Sequence, residues 1–147
     1  RQTALARSGE TLTPIAARAE EAGVELVIEN IEDMDPGDRV ELATTLGRGV
    51  RISLDTGHAF YAHRATGGPP IDAHVRAAGA MLTHVHLQDT DGYADRHWPI
   101  GTGSINWRPL VELIAQQAPD ARMIQELRNH DGIEASWTYL KSIGVGV

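Results

Sequence analysis

Four short apolar runs alternate with helical patterns along this chain, and each run closes on side chains that can hold a proton or a cation. The runs are Glu25–Glu29, Val50–Asp55, Met81–Leu87 and Arg122–Leu127. Gly, Asp, Asn or Pro bounds each of them, the punctuation expected of strands of this length. Helical patterns fill the intervals. One runs from near Thr11 to Ala22 and stops at Gly23, a natural C-cap. Others cover Asp38 to Leu46, Ile71 to Ala80, Ser104 (as cap) to about Gln117, and Asp131 to about Ser142. Strands that alternate with helices predict an α/β fold with a parallel sheet and right-handed crossovers. The 147 residues amount to one domain spanning 1–147. Two closures fit this order. One is an open four-stranded sheet covered by helices. The other is half of a (β/α)8 barrel, which normally takes about 250 residues.

Composition narrows the chemistry. The chain has no cysteine, which removes disulfides, thiolate metal sites and a cysteine nucleophile. A formal charge of −7 disfavours a partner held mainly through phosphates, so nucleic acid is not the expected ligand. No apolar run approaches the roughly 20 residues of a membrane span. The opening Arg1-Gln2-Thr3-Ala4-Leu5 lacks the apolar stretch of a signal peptide, so a cytoplasmic location is the expectation.

The informative residues stand at the strand ends. The first run ends in Glu29-Asn30 and the second in Asp55, with His58 three residues on. The third carries His84 and His86, then Asp89, and the fourth ends in Glu126. Each gap between these positions is about one βα unit, so the groups advance by one strand while staying at one height. They therefore converge at the carboxyl ends of the strands, where parallel α/β folds bind ligands. One strand-end carboxylate alone is most often a helix cap, but four such coincidences in succession are not expected by chance. Alternation supports the convergence: His84 and His86 share one face and Val85 and Leu87 the other, as Ser53 and Asp55 oppose Ile52 and Leu54. Three carboxylates aimed at one spot repel one another unless a cation joins them. Mixed oxygen and nitrogen ligation suits Mn²⁺, Co²⁺, Zn²⁺ or Mg²⁺.

A second cluster lies in the long irregular segment from Gln88 to Thr102. Asp95 and His97 are spaced to hold a second metal or a substrate oxygen, and Arg96 is suited to a phosphate or carboxylate. Gly101-x-Gly103 leads into the Ser104 helix start, where amides can cradle an anion. His63 and His130 fall in predicted loops and read as solvated. Met34, Met81 and Met123 read as packing residues.

The segments LVIEN (26–30), SLDTGHAF (53–60), HVHLQD (84–89), DRHWPIGTGSINW (95–107) and MIQEL (123–127), in this order, resemble the xylose isomerase-like TIM-barrel superfamily. Its sugar phosphate isomerases and epimerases are the nearest in pattern, with the type 2 apurinic endonucleases as relatives. The resemblance covers the second half of that barrel, strands five to eight, over nearly the whole chain. It implies a metal bound by Glu29, Asp55, His86 and Glu126, with the two glutamates also moving protons. It implies substrate contacts, or help to a second metal, for His58, and an additional zinc at Asp95 and His97 in the endonuclease branch. The first four βα units of the family pattern are missing. A half-barrel exposes two sheet edges and its inner face, so a homodimer or a complementary half-barrel is expected to complete it.

The expected function is thus a metal-dependent isomerase or epimerase of sugars or sugar phosphates. The cation would chelate neighbouring carbonyl and hydroxyl oxygens. Glu29 or Glu126 would remove a proton to give an enediolate and the other would return one, while Arg96 and His58 orient substrate oxygens. The rival expectations are a multi-zinc phosphodiesterase acting at abasic sites, and a non-catalytic half-barrel module that assembles into a dimeric barrel.

Overall fold

The computed structural model of the chain describes residues 1–146. The elements run α1 (Gln2–Glu21), β1 (Leu26–Ile28), α2 (Gly37–Leu46), β2 (Val50–Asp55), α3 (Thr56–Thr66), α4 (Ile71–Ala78), β3 (Leu82–Leu87), α5 (Trp107–Gln117), β4 (Arg122–Gln125) and α6 (Ile133–Ser142). Short 3₁₀ turns occupy Gly79–Met81 and His130–Gly132. The strands form one sheet in the order β1-β2-β3-β4, and every pair is parallel. Sequence order and spatial order coincide, as in a singly wound arrangement whose helices all pack on one side.

Alternation divides the sheet into two chemical faces. Val50, Ile52, Leu54, Leu82, Val85 and Leu87 pack against Val75, Ala59, Leu110, Ile114 and Trp107 in one apolar core. Leu26 and Ile28 of β1 join the same core, which leaves Val27 on the opposite face. That opposite face carries Arg51, Ser53, His84 and His86. β1 and β4 are both edge strands. On β4, Met123 and Ile124 are 41% and 46% exposed.

The helices depart from the sequence expectation in instructive ways. α1 begins at Gln2 rather than near Thr11, because neither Gly9 nor Pro14 breaks it. The Thr13 hydroxyl donates to the Gly9 carbonyl at 2.7 Å. α3 is an additional helix, absent from the helical patterns read in the sequence: Asp55 caps it, its Oδ1 accepting from the His58 N–H at 2.6 Å. His63 therefore sits on a helix, not in a loop, although it is exposed. α5 begins at Trp107, not at a Ser104 cap; the Ser104 N–H is drawn to the Thr90 carbonyl at 2.9 Å. Of the three methionines read as packing residues, only Met81 packs against the core, while Met34 is 64% exposed.

One buried cation braces the end of the sheet. Arg39 of α2 donates from Nη1 to the carbonyls of Ser53 at 2.9 Å and Ile28 at 3.3 Å. Its Nε pairs with Asp33. Its Nη2 lies 3.0 Å from Nδ1 of His74, a buried residue of α4. A guanidinium taken from water is tolerable only when its donors are met in this way. The imidazole must accept here, so it must be neutral. Burial, and then the neighbouring Arg39 charge, lower the His74 pKa to about 4. Because the unfolded value is higher, the unfolded chain binds the proton first as pH falls. Stability attributable to neutral His74 is therefore intact above about pH 6.5 and is lost progressively towards pH 4, by up to about 3 kcal/mol. Urea unfolding at a series of pH values should show this acid slope in the wild type and a shallower one in H74Q; equal slopes would contradict it.

Candidate metal centre

Register builds the site. Asp55 at the end of β2 pairs with His86 near the end of β3, and Ser53 pairs with His84 one step below. Glu29 follows directly on β1, and Glu126 directly on β4. The Glu126 N–H donates to the Leu87 carbonyl at 3.0 Å, which continues the β3–β4 pairing through the ligand position. Asn30 does the same between β1 and β2. Its Oδ1 accepts from the Asp55 N–H at 2.8 Å and its Nδ2 donates to the Asp55 carbonyl at 3.0 Å. An amide side chain thus stands in for strand backbone and fixes Asp55. Asn30 is fully buried; the sequence marks it only as a polar residue at a strand end.

Glu29, Asp55 and His86 each offer one ligand atom, and these atoms lie within 4.8 Å of one another. His86 Nδ1 stands 2.9 Å from Glu29 Oε2 and 2.8 Å from Glu126 Oε2, so Glu126 reaches the group through His86 without being one of its three mutually close members. Glu29 Oε2 also accepts from the Ser53 hydroxyl at 3.4 Å. The exposure of these side chains differs sharply. Asp55 is fully buried, while the side chains of Glu29 and Glu126 are 31% and 43% exposed. Burial pushes the Asp55 carboxyl above its ordinary value, opposed by the His58 N–H and the His58 ring.

The donor set fits a divalent cation. His86 Nδ1 and Glu126 Oε2 are buried at contact distance, yet neither has a hydrogen-bond partner. Buried polar atoms are rarely left in that state. An imidazole nitrogen and carboxylate oxygens that crowd together without bonding one another are placed as ligands of a shared ion would be.

A second group lies beside the first. His58, Asp95 and His97 also present ligand atoms within 4.8 Å of one another. His97 Nε2 is 3.1 Å and His58 Nε2 3.5 Å from Asp95 Oδ2. His58 faces both groups, because its Nδ1 lies 3.7 Å from Glu29 and 3.8 Å from Asp55. Burial would lower the His58 pKa, but Asp55, the Asn30 carbonyl, Asp95 and Glu29 outweigh it and raise the value. Arg96 is turned to its own loop: it pairs with both oxygens of Asp91 at 3.3 and 3.1 Å and stacks on Trp98.

The Gly101-x-Gly103 segment is not an open anion cradle. Its anion is internal. Asp89, fully buried, accepts from the N–H groups of Thr90 at 2.9 Å, Gly101 at 2.8 Å and Ile105 at 3.3 Å, and from the Trp107 indole at 2.8 Å. Gly103 is needed there because a Cβ would lie 2.5 Å from the Thr90 carbonyl oxygen. Asp89 is thus the strand-end acid that does not join the site; it shapes the loop that carries Asp95 and His97.

With this geometry in place, comparison with known proteins is direct. A family model described as xylose isomerase-like TIM barrel matches residues 1–143, and the chain belongs to that family. A D-tagatose 3-epimerase-like protein superposes with a TM-score of 0.81 at 27% identity, over 95% of this chain and 54% of the other. A Thermus thermophilus protein, solved after soaking with ZnCl2, superposes at 0.74 and 28% identity, over 97% of this chain and 55% of the other. A putative xylose isomerase from Rhodospirillum rubrum, at 22% identity, shares the fold with a TM-score of 0.74 over 93% of this chain and 53% of the other. Two uncharacterized proteins of Methanocaldococcus jannaschii are 28% identical over 81% of the chain and 32% identical over 60%. They are covered to 42% and 34% of their own length. The chain therefore spans about half the length of the relatives it matches, and its four parallel strands correspond to half of a TIM barrel. No described helix is long and apolar enough to cross a membrane.

Removing the Asp89 carboxylate leaves four donors unmet, three of them in buried hydrogen bonds. Asp89→Ala should lower the unfolding free energy by about 3 kcal/mol or more. Urea denaturation measures this, and a loss below about 1 kcal/mol would show that the loop repacks without its anion.

Proposed function

We propose that this chain carries the metal-binding half of the active site of an isomerase or epimerase that acts on sugars or sugar phosphates by proton transfer through an enediolate. One observation carries the reading: two half-exposed glutamates, from β1 and β4, approach the same His86 nitrogen from different strands while the third carboxylate, Asp55, is fully enclosed. The enclosed carboxylate and the imidazole suit a fixed ligand role. The two glutamates remain open to a bound molecule on either side of it. The epimerase-like relative supports the substrate class, and the ZnCl2-soaked relative makes Zn²⁺ the first ion to test, ahead of Mn²⁺, Co²⁺ and Mg²⁺.

Glu29, Asp55, His86 and Glu126 would hold the cation, which when bound supplies positive charge to polarise a carbonyl and stabilise negative charge on its oxygen. The remaining work belongs to the chain. One glutamate takes the proton from the carbon next to the substrate carbonyl, and the other returns a proton to the enediolate. His58, held by the Asn30 carbonyl at 3.0 Å from its Nδ1, orients a substrate oxygen. Arg96 reaches a phosphate or hydroxyl by exchanging its Asp91 partner for the substrate. The His58–Asp95–His97 group supports a second reading, a multi-zinc phosphodiesterase like the abasic-site endonucleases. The −7 charge argues against a nucleic-acid substrate. A nicking assay on abasic duplex separates the two.

Completion of the barrel is part of the proposal. Two parallel edges and the exposed Met123 and Ile124 suit a second copy, with β4 of each copy pairing with β1 of the other. Size-exclusion chromatography with light scattering should give a dimer at micromolar concentration; a stable monomer would refute the second copy as partner.

Glu126→Gln keeps the shape of the side chain but cannot carry the proton. With a panel of ketoses and aldoses in D2O, exchange of the carbon-bound proton should fall by roughly 10²–10⁴-fold in E126Q. EDTA should stop the same exchange in the wild type. Unchanged exchange in E126Q rejects Glu126 as the proton carrier, and exchange that survives chelation rejects the cation.

A further inference from the structure

Gln88 belongs to neither ligand group, yet its side chain touches both. It is fully buried in the turn that follows β3. Its Nε2 donates to Asp95 Oδ1 at 2.8 Å and reaches the two carboxylate oxygens of Asp55 at 3.2 and 3.4 Å. Its Oε1 accepts from the His97 backbone N–H at 2.9 Å. That last bond assigns the amide: only the oxygen can meet an N–H, so the nitrogen must face the two carboxylates.

His97 itself needs holding. It is the one described residue other than glycine with a left-handed backbone, at φ 51°. Such a conformation persists where the surroundings over-determine it. Gln88 Oε1 fixes its N–H, and its carbonyl accepts from the Arg128 N–H at 3.0 Å. The backbone of Gln88 is anchored as well. The Thr56 hydroxyl accepts from the Gln88 N–H at 3.1 Å and lies 2.9 Å from the Gln88 carbonyl, which ties the turn to the start of α3. Space for the side chain comes from Gly57: a Cβ there would lie 2.8 Å from Gln88 Cγ and overlap the amide carbon.

A residue that merely filled this gap would be apolar. This one directs its whole amide at two ligand carboxylates and at the backbone of a third ligand residue. We infer that Gln88 is a positioning residue that sets the two groups relative to each other, turning Asp55 and Asp95 toward their own centres and pinning His97 between them. Each carboxylate lone pair engaged by Gln88 is withdrawn from an ion, so the remaining ones face a defined direction. The inference rests on the cation reading of the Glu29–Asp55–His86–Glu126 group and assigns to Gln88 the order within it.

Co²⁺ is a suitable probe, because its visible absorption reports ligand number and geometry independently of turnover. The full chain would be titrated with Co²⁺ as wild type, Q88M and G57A. Q88M keeps the length and volume of the side chain and removes both its donor and its acceptor. G57A keeps the amide and displaces it. With folding checked by circular dichroism, both variants should bind Co²⁺ about 10–100-fold more weakly, the usual cost of losing a group that orients ligands, and with a changed absorption band. If Q88M does not fold, G57A decides by the same readings. Wild-type affinity and spectrum in either folded variant overturn the role of Gln88 and leave the cation reading standing. A wild-type chain that takes up no Co²⁺ overturns both.

Discussion

The register of two central strands governs the chemistry of this chain. Once Asp55 is set opposite His86, a carboxylate and an imidazole share one end of a parallel sheet, and neither can turn away without breaking the pairing below it. A one-residue slip of either strand would turn its own side chain, Asp55 or His86, toward the apolar core. The bulge between Ile52 and Ser53 lies before this pairing, so the register that counts is the one restored after it. Asn30 and Thr56 then lock the two strand ends from the sides, by side-chain hydrogen bonds that extend backbone pairing where strands have formally ended.

Charge inside this molecule is used in two distinct ways. Asp89 and Arg39 are fully employed: the carboxylate accepts four protein donors, and the guanidinium meets a carboxylate, two carbonyls and an imidazole. Each is satisfied within the chain and serves its folding. The strand-end cluster is different, because His86 Nδ1 and Glu126 Oε2 are enclosed without partners. Satisfaction, not burial, thus separates the Asp89 and Arg39 charges from the strand-end cluster. By that standard Asp89, which stands in sequence among the candidate ligands, leaves the site.

The convergence of Glu29, Asp55, His86 and Glu126 at one end of the sheet was legible in the sequence because strand alternation and one βα unit per step are simple periodicities. The helix α3 was not, since its alanines give no strong apolar stripe and its cap, Asp55, is also the last residue of a strand. Gln88 carried no signal of its own: a glutamine beside an aspartate at a strand end becomes informative only when the loop folds back to place Asp95 and His97 over it. The glycines at 101 and 103 misled for a related reason. A backbone loop that cradles an anion looks the same in sequence whether the anion is a bound ligand or a side chain of the same fold, here Asp89.

The two glutamates occupy the positions most sensitive to what borders the sheet edges. Asp55 and His86 lie on central strands, flanked on both sides by paired backbone, so their placement is decided within these residues. Glu29 and Glu126 follow the two edge strands, and each has a neighbour on one side only. Their greater exposure has this cause. Any backbone that pairs with β1 or β4 must approach Glu29 or Glu126 and strip water from it. The placement of Asp55 and His86 at the centre of the sheet is therefore decided within this half-barrel, while Glu29 and Glu126 at its margins are each open on one side.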